Sequence, residues 1–134
     1  MDSYEKRIFD LGLKGYCCSQ ILVQLGLDAL NRENEDLINA VSGLCMGIFS
    51  GKQCGVLTGG ACLLALFDKS EAAKTMIPRL AEWFDMTYTP QYGGTCCSDI
   101  VANDPMKKFE RCPVIIKQTF EMCRELLEES GYDI

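Results

Sequence analysis

The sequence predicts an all-α fold, a single-domain helical bundle over residues 1–134 with about five to seven helices around a buried, glycine-rich central helix. Three observations lead there. Apolar residues recur at helical spacing nearly throughout, and no segment sustains the period-two alternation of a half-buried strand. No repeat, low-complexity tract or linker divides the chain. From Cys54 to Phe67 there is no charge, so this run reads as a helix buried on nearly every side, too short and too glycine-rich to cross a bilayer.

Taken in order, Asp2-Ser3 caps a first helix with Glu5 in its first turn and Tyr4, Ile8 and Leu11 on one face, before Gly12 and Gly15 end it. A second helix begins at Tyr16-Cys17-Cys18, with Cys18, Ile21, Leu22 and Leu25 inward and Gly26 weakening its end. Asn31 or Asn34 caps the third, whose stripe of Leu37, Val41, Leu44, Cys45 and Ile48 makes Cys45 a mid-helix packing residue. The central helix opens at Cys54 after the turn-like Ser50-Gly51-Lys52-Gln53, and Gly55, Gly59 and Cys62 at i, i+4 and i+7 give it a smooth face for a neighbouring backbone. Ser70 caps a helix from Glu71 to about Met86 with Ala73, Ile77, Leu80 and Phe84 inward, kinked or split by Pro78, and Trp83 reads as packing. Thr87 to Thr95 reads as loop, and Cys96-Cys97-Ser98-Asp99 starts a short helix. Asp104-Pro105 starts another turn, and Cys112-Pro113 begins the last helix, whose stripe of Ile116, Phe120, Cys123 and Leu127 makes Cys123 a packing residue.

Nine cysteines and no histidine are the strongest functional signal in the composition. Without histidine there is no Ser-His-Asp or Cys-His triad, no histidine metal ligand and no histidine proton shuttle. Thiol chemistry remains. A net charge of −6 argues against nucleic acid or an anionic membrane surface as partner, and the mixed charges of Met1 to Arg7 lack a signal-peptide core, so a cytoplasmic location is expected. Four cysteines, Cys18, Cys54, Cys97 and Cys112, fall at predicted helix starts, where unpaired N–H groups and the helix dipole favour a thiolate. Among them Cys54, beside Lys52, is expected to be the most strongly ionised. No CxxC occurs, so the fold must assemble any site, and the vicinal pairs Cys17-Cys18 and Cys96-Cys97 are too close along the chain to bond internally with good geometry.

The segments Gly15-Tyr16-Cys17-Cys18-Ser19-Gln20, Cys54-Gly55-Val56-Leu57-Thr58-Gly59, Cys97-Ser98-Asp99-Ile100 and Cys112-Pro113-Val114-Ile115 resemble, in order and spacing, the C_GCAxxG_C_C family of small proteins associated with redox activity. The resemblance covers most of the chain and carries the family's four characteristic cysteines onto Cys18, Cys54, Cys97 and Cys112. Val56 stands where the family usually has alanine, and Cys17 where an asparagine cap is common. A helical fold and redox association are what the resemblance implies; it supplies no substrate.

Together these point first to a thiol-based redox protein, a candidate thiol oxidoreductase that cycles between dithiol and disulfide with a redox partner protein or a small thiol or electron donor, and that needs no cofactor. Two alternatives stay open. One is four-cysteine ligation of zinc or an iron–sulfur cluster, with Gly59, Gly60, Gly93 and Gly94 leaving room around it. The other is a non-enzymatic helical interaction module with buried structural cysteines, marked by an exposed apolar face on the first helix; a homodimer is open on the same grounds.

Overall fold

Helix starts follow the capping side chains. In the computed structural model, which describes residues 2–134, Asp2 Oδ1 accepts from the Glu5 amide at 2.8 Å to begin α1 (Ser3–Leu13). Cys17 occupies the cap of α2 (Cys18–Ala29), and Asn34 Oδ1 accepts from the Leu37 amide at 3.0 Å to begin α3 (Glu35–Val41). α4 (Gly55–Phe67) follows Cys54; none of its residues is exposed. Asp68 caps α5 (Lys69–Glu71), which runs through a π-helical turn, Ala72–Met76, into α6 (Ile77–Tyr92). α7 (Cys97–Val101) and α8 (Pro105–Glu129) complete an all-α domain whose strand pairing, among the described residues, is a single bridge between Gln53 and Cys96.

Four expectations are corrected. α3 ends at Val41, and after a 3-10 turn (Ser42–Leu44) Cys45 takes φ −59°, ψ 147°, so Cys45 is not mid-helix and Ile48 is exposed. The helix over 71–86 starts two residues earlier, at Lys69, because Asp68, not Ser70, accepts the Glu71 amide, and its buried stripe is Ala72, Met76, Leu80, Phe84 and Tyr88, with Ala73 exposed. The wide turn sits just before Pro78, whose ring would crowd a regular ladder. The segment expected as loop from Thr87 is helical to Tyr92, where Gly93 at φ 83° closes the last turn. Finally, the last helix starts at Pro105, because Asp104 Oδ1 takes the Met106 amide at 2.9 Å, and not at Cys112-Pro113. Pro113 is tolerated inside α8 on its exposed side, where water can take the carbonyl that the ring leaves free.

α4 lies against α2 on one side and against α6 and α8 on the other. Its glycines set both distances. A Cβ at Gly59 would lie 2.7 Å from Ser19 Cα and 3.0 Å from Ser19 O, and one at Gly55 would lie 3.1 Å from Leu44 O. On the opposite face a Cβ at Gly60 would meet Leu80 at 3.1 Å and Thr119 at 3.3 Å. The main core gathers α1, α2, α4, α6 and α8, and a smaller cluster of Val23, Leu27, Ile38 and Val41 seats α3 on α2.

Between α3 and α4 the backbone turns left-handed. Met46, Gly47, Ile48 and Phe49 have φ of 52°, 62°, 59° and 50° in succession. For the three non-glycine residues this costs about 1–2 kcal/mol each, and most for β-branched Ile48. Little burial offsets it, since Met46, Ile48 and Phe49 are exposed, and the turn is closed by the Lys52 amide donating to Gly47 O at 3.0 Å.

Replacing Gly59 by Ala should destabilise the protein by about 1–3 kcal/mol or more, because the obstructing atoms are Ser19 backbone and cannot swing away. Gly12→Ala in α1, where nothing lies within 4 Å, should instead be neutral or stabilising by up to about 1 kcal/mol. Urea unfolding of the two variants checks the pair; equal midpoints would contradict the account of the α2–α4 contact.

Candidate functional site

The thiols at 18, 54, 97 and 112 arise on four elements, and short backbone links bring those elements to one end of the bundle. Gly55 and Gly59 draw the start of α4 onto the start of α2, so that a Cβ at Gly55 would lie 3.8 Å from Cys18 Cβ. The segments before α4 and α7 pair edge to edge: the Cys54 amide donates to Thr95 O at 3.1 Å and the Cys97 amide to Lys52 O at 2.6 Å. Gly94 makes room for the Asp99 carboxylate, which takes the Cys96 amide at 3.2 Å and caps α7. α8 passes beside α7, with Arg111 donating to Ile100 O at 2.9 Å, and presents Cys112 from beyond its second turn.

All four cysteines line one groove of about 1020 Å³. Cys18 and Cys97 are the first residues of α2 and α7 and Cys54 caps α4, whereas Cys112, expected at a helix start, is inside one. Cys18 and Cys112 both line the groove wall, and each is the leading influence on the other's ionisation. That interaction pulls them apart as acids: Cys112 holds Cys18 well above the ordinary thiol value, with burial adding to the rise, while Cys18 lowers Cys112 against the opposing effect of burial. The Lys108 ammonium, one helical turn earlier in α8, lowers Cys112 further. Lys108 has no ion-pair partner among the described residues, whereas Lys117 pairs with Glu5 across the same groove.

Cys54 is not the lowest thiol. Burial pushes it up to about 12, against the opposing pull of the Val56 and Leu57 amides at the start of α4. The backbone of the Lys52-Gln53 segment is paired with residues 95–97 and Cys54 lies in the main core, so desolvation outweighs the helix terminus. Cys97, half-buried, is raised for the same reason. The polarising residue that sequence inspection missed is Lys108. Its signal was the Lys108-x-x-x-Cys112 spacing, which stacks cation over thiol once 105–129 is one helix.

Cys45 has a role the sequence did not assign. It forms a disulfide with Cys17, Cα atoms 5.9 Å apart, closing a loop of sequence separation 28. By loop-closure entropy such a link is worth about 3.5 kcal/mol. The buried Ser19 hydroxyl donates to Val41 O at 2.8 Å and lies 3.2 Å from Cys17 Sγ and 3.8 Å from Cys45 Sγ. Cys123 is fully buried against Gly60, its thiol pushed up to about 12 by desolvation.

Around the groove stand Phe9, Leu13, Met46, Phe109 and Val114, all exposed; Leu13 is 73% and Phe109 75% accessible. The apolar face expected as the mark of an interaction surface on the first helix is therefore present at Phe9 and Leu13. Among the described residues no group of three or more Cys, Asp or Glu side chains is placed to hold a metal ion. Among the described residues no helix is long and apolar enough to cross a membrane.

A family model described as "Putative redox-active protein (C_GCAxxG_C_C)" matches residues 16–126, which is most of the chain and spans all five groove cysteines. No curated protein and no solved structure matches it.

With thiols reduced, iodoacetamide at about pH 7 should label Cys112 faster than Cys54 or Cys123, because a thiolate is the nucleophile and Cys112 alone of the three is lowered. Since a lowered pKa leaves more thiolate at neutral pH, Lys108→Gln should slow Cys112 by roughly twofold or more and shift its rate profile to higher pH. Peptide-mapped labelling that finds Cys54 ahead of Cys112 would reverse this ordering.

Proposed function

The chain belongs to the C_GCAxxG_C_C family, and we propose that it is a thiol–disulfide redox protein in which Cys112 attacks and Cys18 resolves. The observation that carries this is the placing of Cys18 and Cys112 together on the groove wall, one thiol lowered, the other raised, with the unpaired Lys108 beside them. Nothing beyond two thiols is needed for the chemistry.

The substrate is a disulfide on a partner protein or a small molecule. Cys112 thiolate attacks one of its sulfurs, forming a mixed disulfide and expelling the other sulfur as thiolate. Cys18 then gives up its proton to that leaving thiolate and attacks Cys112 Sγ, expelling the second substrate sulfur as a thiolate that takes its proton from solvent. The substrate disulfide gains two electrons and becomes two thiols, and Cys18 and Cys112 are left joined as a disulfide. A reduced dithiol donor returns them by the reverse sequence. Cys54 and Cys97, both raised by burial, stay protonated beside Cys112 and shape its surroundings instead of attacking. The exposed apolar residues around the groove supply the contact on which a partner protein docks. A soluble cytoplasmic setting, without nucleic acid or membrane as partner, accords with the net charge of −6.

Cys18→Ser keeps a hydroxyl in place of the thiol but removes the resolving sulfur, so this variant should accumulate a one-to-one mixed disulfide with oxidised glutathione at Cys112, seen by intact mass and peptide mapping. Cys112→Ser should accumulate none at Cys18. Equal adduct formation by both variants would remove the assignment of roles.

A further inference from the structure

The exchange proposed above leaves the Cys17–Cys45 disulfide unused, and its surroundings are unlike those of a simple staple. We infer that Cys17–Cys45 is a second, separate redox couple, a latch whose reduction by a dithiol releases the left-handed turn Met46–Phe49 at the mouth of the groove.

The two ends of this link are held very differently. Cys17 caps α2, and the next turn of that helix is clamped by Gly59 of α4 lying on the Ser19 backbone. Cys45 is followed at once by Met46, Gly47, Ile48 and Phe49, all with φ between 50° and 62°. Only glycine adopts that conformation without steric cost, so three of the four residues pull against it. Their side chains do not compensate by burial, since Met46, Ile48 and Phe49 are about half or more exposed. The disulfide anchors the turn at one end, and the Lys52–Gly47 hydrogen bond, with the Ser50 hydroxyl donating to Ile48 O at 3.0 Å, closes it at the other.

Access favours attack from the groove. Cys17 is partly exposed and lines it, as does Met46, whereas Cys45 is buried. A thiolate of the dithiol attacks Cys17 Sγ, and Cys45 sulfur leaves and is protonated by solvent. The second thiol of the reductant then attacks its own mixed-disulfide sulfur, expelling Cys17 thiolate. The reductant loses two electrons and two protons as it becomes a cyclic disulfide; Cys17 and Cys45 become thiols. With the tether gone, the turn relaxes toward right-handed or extended backbone, and Met46 leaves the groove wall.

Hydrogen–deuterium exchange of the whole protein, oxidised and after dithiothreitol, reads this without any disulfide substrate, so its outcome is independent of whether Cys112 and Cys18 carry out exchange. Reduction should speed exchange in peptides covering 46–52 by about tenfold or more while the amides of Leu63 and Leu64 in α4 stay protected. Cys45→Ser should show the fast rate under both conditions. Ile48→Gly, which removes the most unfavourable left-handed residue, should cut the effect of reduction to about threefold or less. An unchanged segment 46–52 on reduction would overturn the latch. So would loss of protection spread evenly over α2 and α4, which would make the link a structural staple, and so would an effect of equal size in Ile48→Gly.

Discussion

The contact on which the rest of this molecule depends is the approach of α4 to α2, where Gly59 lies on the Ser19 backbone and Gly55 on Leu44 O. Without side chains at these two positions, the helix starts carrying Cys18 and Cys54 come within reach of each other, and the loop after α3 passes beside them. The cysteine and the glycines of the Cys54-Gly55-x-x-x-Gly59 segment are thus one device: the glycines set a distance and the cysteine uses it. α7 is drawn in by pairing of Lys52–Cys54 with Thr95–Cys97, and α8 follows by packing on α7, so a groove with five cysteines in its wall results from two glycines and one short bridge.

Within that groove two effects compete for each thiol, and burial decides most outcomes. Cys54 has helix-terminal amides pulling its value down and still ends at about 12, because taking a thiolate out of water costs more than two amides return. Cys112 is almost as buried as Cys54 but moves the other way. The difference is a neighbouring thiol, Cys18, and a cation, Lys108, each acting on the one sulfur. Ionisation here is set by specific neighbours and not by position at a helix end.

The all-α class, the caps at Asp2 and Asn34 and the glycine face of α4 were legible because each is written locally, in a side chain a few residues from the backbone it serves or in a fixed helical spacing. What escaped was nonlocal. The fate of Cys45 depended on Cys17, 28 residues away, and an apolar stripe through Ile48 looked continuous because helical spacing cannot register a left-handed turn. The start of α8 was misplaced because Asp104-Pro105 and Cys112-Pro113 both place a proline where a helix can begin, and it is the Asp104 carboxylate accepting the Met106 amide that decides between them. The ionisation order was missed for the same reason: desolvation of Cys54 comes with its place in the main core, whose members no reading of its own neighbourhood contains.

The vicinal cysteines give these points a common geometry. Along a helix start, successive side chains diverge by about 100°, so adjacent residues face different neighbours. Cys17, at the cap, points to Cys45, while Cys18, one residue on, points to Cys112. One helix start therefore serves two sulfur partners on two different loops or helices, and the buried Ser19 hydroxyl that follows touches the first pair while its backbone bears Gly59. Chemistry at either pair must act through a helix end that the α2–α4 contact holds fixed. The far side of each pair lies outside that contact, on the left-handed turn after Cys45 in one case and on the Lys108–Cys112 turn of α8 in the other.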